Sequence, residues 1–156
     1  MKETISAGSL DSFDHKLLAE LAVNGRLPII ELARRIGLSK SPTQARLRRL
    51  EAQGYILGYR ALLDPEKLQR EHVAFVEVRL TDTRETALSA FNKAVRGVPE
   101  IETCHLIAGQ FDYLLKIRCR DMRAYRDILA EVVSTLPYVA STSTHVSMQA
   151  VKDAAI

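Results

Sequence analysis

Residues 34–49, RRIGLSKSPTQARLRR, carry the cations Arg34, Arg35, Lys40, Arg46, Arg48 and Arg49 and no acid. The run straddles Gly37-Leu38-Ser39, with helical apolar spacing on either side. Before the turn, Ile29, Leu32, Ala33 and Ile36 make one stripe and leave Glu31, Arg34 and Arg35 outside. Gly37 suits the left-handed position past a helix end. After it, Ser41-Pro42-Thr43-Gln44 reads as a helix start, with Ser41 as cap, Pro42 in the first turn and Gln44 reaching back to the cap amide. Leu47 and Leu50 form the buried edge and Gly54 marks the far end. A helix, a glycine turn and a second helix with a cationic start are the sequence form of a helix-turn-helix.

That form points to double-stranded DNA, whose phosphates attract the cations while the second helix presents side chains to base edges. Lys40, Ser41, Thr43, Gln44, Arg46, Arg48 and Arg49 are the candidate contacts. The bland alternative is a solvated helix face. Such faces normally mix signs, because neighbouring acids stabilise them, and nothing inside this run neutralises its charge.

Working outward, a first helix is expected from about Ser12 to Asn24, with Phe13, Leu17, Leu18 and Leu21 inward and Gly25 as terminator. Residues 1–10 read as a loose arm. After Gly54, YILGYRALLD is β-rich and broken by Gly58, which fits a wing hairpin leading out of the domain. Asp64-Pro65 starts a turn or short linker. The chain thus divides into a DNA-binding domain over residues 1–60, a linker over 61–71 and a second domain over 72–156.

Charge follows that division. Of 156 residues, the first sixty hold ten Lys/Arg and six Asp/Glu, while the remainder hold twelve and thirteen. A basic N-terminal part with a near-neutral partner suggests a nucleic-acid module joined to something else. A chain 47% hydrophobic and 26% charged is globular rather than disordered. No apolar run opens the chain or approaches membrane-spanning length, and Cys104 and Cys119 are too few for a disulfide framework. A cytoplasmic protein away from membranes is the expectation.

The second domain alternates strand and helix patterns. HVAFVEVRLT places Ala74, Val76, Val78 and Leu80 on one face, and its mixed other face hints at a covered second side. Glu85 to Arg96 is helical, IETCHLIA a strand, Gly109-Gln110 a hairpin turn, and FDYLLKIRC a strand bearing Phe111, Tyr113, Leu115 and Ile117 on one face. Residues 122–136 form a helix stopped by Pro137, and VASTSTHV supplies a last strand. The fold class is therefore α+β: a winged helix-turn-helix, then a ferredoxin-like β-α-β-β-α-β sandwich. Its open sheet face is economically covered by a second copy.

Catalysis is a poor reading. Cys104 and His105 are adjacent in a strand and leave opposite faces. His15, His72, His105 and His145 lack ligand spacing, so no catalytic residue, metal or cofactor is assigned.

The words GRLPIIELARRIGLS, RLRRLEAQGYILGYRALLDP, CHLIAGQFDYLLK, DMRAYRDIL and HVSMQAVK resemble, in order and spacing, the Lrp/AsnC (feast/famine) transcriptional regulators, over about residues 11–152. The resemblance implies an N-terminal winged helix-turn-helix, a C-terminal amino-acid-sensing sandwich, and homodimers that commonly assemble to octamers. It implies a recognition helix over residues 41–53, with Arg46, Arg48 and Arg49 at its basic positions. It also matches effector-response positions to Leu106, Asp112, Val146 and Ser147.

The chain departs from the family at Pro28, where a serine-type cap is common, at Lys40-Ser41 in place of Pro-Thr, and at Ser147, which is apolar in leucine-responsive members. SKSPTQAR and VASTSTHV resemble the activators of proline catabolism.

An amino-acid effector needs amides for its carboxylate, an acceptor for its ammonium and a pocket for its side chain. Gly109 and Gln110 offer turn amides, Asp112 the acceptor, Leu106 and Val146 the pocket shape, and Ser147 a hydroxyl. The alternative for Asp112 is a turn residue and nothing more. The expected function is sequence-specific transcriptional regulation responsive to an amino acid, with proline catabolism as the pathway. The competing reading is an architectural protein that wraps DNA with little sequence choice.

Overall fold

The computed structural model describes residues 9–152, which fall into two compact units, one ending at Leu62 and the other starting at Leu63. Most of the arm expected over residues 1–10 lies outside the described residues, as does the stretch 153–156 of the second domain.

The first unit holds three helices, α1 (Ser12–Val23), α2 (Ile29–Ile36) and α3 (Lys40–Ala52). Asp11 caps α1 by accepting from the Phe13 and Asp14 amides, and the Asp14 carboxylate returns to the Asp11 amide in a reciprocal capping box. Helix α2 ends at Gly37, whose φ of 80° is the left-handed conformation that lets its own amide and that of Leu38 fold back onto the Arg34 and Ala33 carbonyls. Leu17, Leu32, Ile36 and Leu50 meet as the buried core. Each such side chain contributes about 1.5–3 kcal/mol by leaving water.

Two expectations change here. Helix α3 begins at Lys40 with Ser39 as cap residue, and Ser41 lies inside its first turn. Proline at position 42 is tolerated there because first-turn amides have no intrahelical partner. The wing hairpin is not formed. Among the described residues, 57–64 contain no strand, and Leu57 and Leu62 stand 97% and 79% exposed. A β-rich stretch without a strand to pair with remains irregular, since an isolated two-stranded hairpin is marginal in water.

The second unit runs β1 (His72–Leu80), α4 (Glu85–Val95), β2 (Ile101–Leu106), β3 (Tyr113–Cys119), α5 (Met122–Glu131), a 3-10 turn (Val133–Thr135) and β4 (Val139–Val146). The sheet order is β2-β3-β1-β4, with every pairing antiparallel. This is the ferredoxin-like arrangement. Ala74, Val76, Val78 and Leu80 of β1 and Tyr113, Leu115 and Ile117 of β3 face the helices and are buried with Phe91, Val95 and Tyr125. The Phe91 and Tyr113 rings pack with centroids 4.4 Å apart.

The strand expected from Phe111 starts at Tyr113. A six-residue loop, 107–112, replaces the two-residue turn, closed by the Ile107 amide on the Asp112 carbonyl at 2.8 Å. The helix expected over 122–136 ends at Glu131 and continues as the 3-10 turn.

On the other sheet face, His145 Nε2 lies 3.2 Å from Glu77 Oε1, and Lys116 and Arg118 pair with Glu102. Phe75 lies on this face among these charges. Among the described residues, no helix is long and apolar enough to cross a membrane.

Candidate nucleic-acid interface and effector loop

Helix α3 carries the candidate DNA contacts, but its cations are not equivalent. Arg34 and Arg35 of α2 bind Glu31 at 2.7 and 2.8 Å, and Arg35 also reaches Glu20 at 2.9 Å. Their guanidiniums hold the Glu31 carboxyl down to about 2. Arg46 Nη1 donates to Asp11 Oδ2 at 2.6 Å and to Asp14 Oδ1 at 2.9 Å, and its guanidinium stacks 5.5 Å from the Phe13 ring centre. Arg49 Nη2 donates to the other Asp14 oxygen. Among the described residues, Lys40 and Arg48 are exposed and have no acidic partner.

Four of the run's six cations are therefore paired in the fold, by Asp11, Asp14, Glu20 and Glu31, which lie outside the run or, for Glu31, just ahead of it. Asp14 is fully buried, although burial of a carboxylate is costly without partners. Burial pushes its pKa up, but the Asp11 amide and the Arg46 and Arg49 guanidiniums outweigh that and hold it below the ordinary aspartate value. The missed signal is visible in hindsight as Asp11-x-x-Asp14 ahead of an apolar run, the form of a capping box. Asp14 also takes a position on the same stripe as Leu17, Leu18 and Leu21.

The structure places Ser41 at the surface and Gln44 half-buried. Thr43, expected on the outer surface, is fully buried. Its hydroxyl bonds back to the Ser39 carbonyl at 2.9 Å, which removes it from reach of DNA. Thr43 stands four and seven residues before Leu47 and Leu50, so helical periodicity puts it on their buried stripe. Arg46 and Arg49 line an open cleft with Pro42 and Ala45.

In the second unit, Leu106, Gly109, Gln110 and Asp112 gather on or beside the 107–112 loop, with Leu106 60% exposed. Among the described residues, neither the Gly109 nor the Gln110 amide donates to a protein acceptor. Asp112 Oδ2 accepts from the Leu80 amide at 2.7 Å, and the Asp112 amide donates to the Val78 carbonyl at 2.9 Å.

Val146 and Ser147 lie elsewhere. Val146 is opposite Ala74, and the Ser147 amide donates to the Val73 carbonyl at 2.9 Å. Four or five residues of β1 separate these contacts from Val78, about 13–17 Å along the strand. A single chain does not bring the six candidate residues into one pocket.

A cationic helix-turn-helix followed by a separate α/β sandwich, with a polar loop at one end of its sheet, defines a DNA-binding regulator carrying its own ligand-binding domain. The chain belongs to the Lrp/AsnC family of transcriptional regulators. The profile described as Lrp/AsnC ligand binding domain matches residues 73–155, and one described as winged helix-turn-helix DNA-binding matches residues 10–56. The chain is 53% identical over its full length, and the relative's, to a proline dehydrogenase transcriptional activator of Rhizobium radiobacter. It is 47% identical to the leucine-responsive regulatory protein of Escherichia coli, covering 92% of this chain and 87% of that one. In structure it is similar to a Neisseria meningitidis transcriptional regulator in complex with L-Met, with TM-score 0.88, 33% identity and 94% of each chain covered.

Proposed function

We propose that this regulator reads double-stranded DNA with α3 and responds to an amino acid, L-proline, to activate expression of a proline-degrading enzyme. The observation that carries the reading is similarity along the whole chain. A proline dehydrogenase transcriptional activator of Rhodobacter capsulatus is 54% identical over 91% of this chain, beside the full-length match at 53%, against 47% for the leucine-responsive proteins. Lys40, Ser41, Gln44, Arg46, Arg48 and Arg49 are its DNA-facing residues. Lys40 and Arg48 serve phosphates, and the positioned arginines serve base edges.

The effector binds at the 107–112 loop. The free Gly109 and Gln110 amides suit its carboxylate, Asp112 Oδ1 its ammonium, and the exposed Leu106 its side chain. Val146 and Ser147 join the site from a second copy of the chain. The protein works as a homodimer joined through the open sheet face, assembling further to an octamer, in the cytoplasm where the DNA lies. A linker over residues 61–71 joins the two domains in sequence.

A thermal-shift screen over the twenty amino acids tests the effector assignment, because a ligand that binds only the native state raises its stability by mass action. L-proline is expected to raise the midpoint. A rise with leucine and none with proline reassigns the effector, and no rise with any amino acid removes the sensing role.

A further inference from the structure

We propose that Asp14, with Asp11, is a positioning residue of the DNA-reading helix, orienting the Arg46 and Arg49 guanidiniums so that they discriminate sequence rather than serve as loose cations. The inference rests on α3 being the reading helix. Its basis is the geometry of one buried carboxylate. Asp14 has no exposed surface, lies in the first turn of α1 and places one oxygen on Arg46 and the other on Arg49, residues 32 and 35 positions away in sequence. Asp11 adds a second acceptor to Arg46, and the Phe13 ring covers its guanidinium plane.

A guanidinium has five N–H donors in a rigid fork. Arg46 spends only Nη1 on the two aspartates, and Arg49 spends only Nη2 on Asp14. The remaining donors of both stay available on the cleft that they line with Pro42 and Ala45. A side chain held on one edge by a buried acid presents its other edge at a fixed angle, which is what bidentate recognition of a base edge requires. The quartet Asp11, Asp14, Arg46 and Arg49 is also neutral as a whole. Indiscriminate phosphate attraction then falls to Lys40 and Arg48, which have no acidic partner among the described residues.

Asp14→Asn keeps the shape and, at Oδ2, the acceptor for the Asp11 amide, but it strips the charge from the Arg49 contact and turns an amide NH2 toward Arg46, so both arginines are loosened. The test measures binding of the full-length variant and wild type to two duplexes across a salt series. One is selected by the wild type from a random pool, and the other is its shuffled counterpart. Discrimination between the duplexes is expected to fall by about tenfold, the scale of one bidentate base contact. The log-log salt slope on the shuffled duplex is expected to steepen by about one, as a released cation finds a phosphate.

Circular dichroism reports whether the variant folds. If it does not, Asp11→Asn replaces it, since asparagine caps as well as aspartate and loosens only Arg46. A loss of discrimination of about threefold is then expected. A variant that folds and discriminates like the wild type, or that loses affinity for both duplexes in equal proportion with the slope unchanged, overturns the inference alone. A wild type that selects no sequence overturns the DNA-reading assignment and the inference with it.

Discussion

Asp112 holds Leu80: the Asp112 Oδ2 accepts the Leu80 amide at 2.7 Å where the pairing of β1 with β4 breaks register between Arg79 and Leu80. The Leu80 amide points to the β3 side, just past the last pair Val78↔Tyr113, so the side chain of the residue before β3 supplies its acceptor. The turn aspartate is therefore a structural strut with one oxygen, and its other oxygen is left for the proposed effector.

Those two roles separate in a pair of variants. Asp112→Ala leaves a part-buried amide unsatisfied and is expected to cost about 1–3 kcal/mol, read by urea unfolding. Asp112→Asn keeps a carbonyl for Leu80 but loses the charge, so stability should hold while amino-acid affinity falls tenfold to a hundredfold, roughly 1.5–3 kcal/mol. An Asn variant that binds as the parent does makes Asp112 purely a strut.

Much of this fold is legible in the sequence because period and punctuation agree. Ala74, Val76, Val78 and Leu80 alternate and are all buried, and Gly37 ends α2 in the conformation expected of it. What escapes is tertiary. The pairing of Arg46 and Arg49 with Asp14 joins residues more than thirty apart, so an acid-free run looks unneutralised when read locally. Thr43, by contrast, is a misreading of a legible pattern: with Leu47 at i+4 and Leu50 at i+7 it lies on the buried stripe, where its hydroxyl is satisfied by the Ser39 carbonyl. The strand propensity of 55–64 comes to nothing because propensity needs a partner strand. The loop residues Leu106 and Asp112 come together as expected. Val146 and Ser147 do not, since antiparallel pairing carries them to the far end of the sheet.

The unpaired cations carry a simple expectation. Arg48→Ala should weaken binding to all DNA sequences evenly and lower the salt slope by about one. Arg34→Ala, already matched by Glu31 at 2.7 Å, should change the slope far less. Fluorescence anisotropy across a salt series decides the matter, and equal effects from the two variants count against this division of labour.

Acid sensitivity follows from Asp14. Its folded-state pKa lies below the ordinary value, so its stabilisation is fully present above the aspartate range and disappears as pH falls through the lowered pKa. Asp14→Asn should be less stable than wild type at neutral pH, and the gap should narrow as pH falls below the ordinary aspartate value. Denaturant midpoints at several pH values check this. A gap that stays constant down to the acid end assigns the loss to packing instead.

The open sheet face makes a further expectation. Phe75 lies there between Lys116 of β3 and His145 of β4, so Phe75→Asp replaces apolar surface with a charge where a second copy is proposed to pack. Light scattering should show the wild type as a dimer or larger and the variant dissociated. An unchanged mass would move the dimer contact off this face.

Footprinting of the full-length protein on DNA upstream of a proline dehydrogenase gene, with and without L-proline, tests the central claim most directly. Bounded protections at half-sites about one helical turn apart, or a multiple of it, are expected, and their extent should change when L-proline is added. A uniform coat without boundaries, weakened by salt and indifferent to L-proline, contradicts the account and identifies a protein that wraps DNA without reading it.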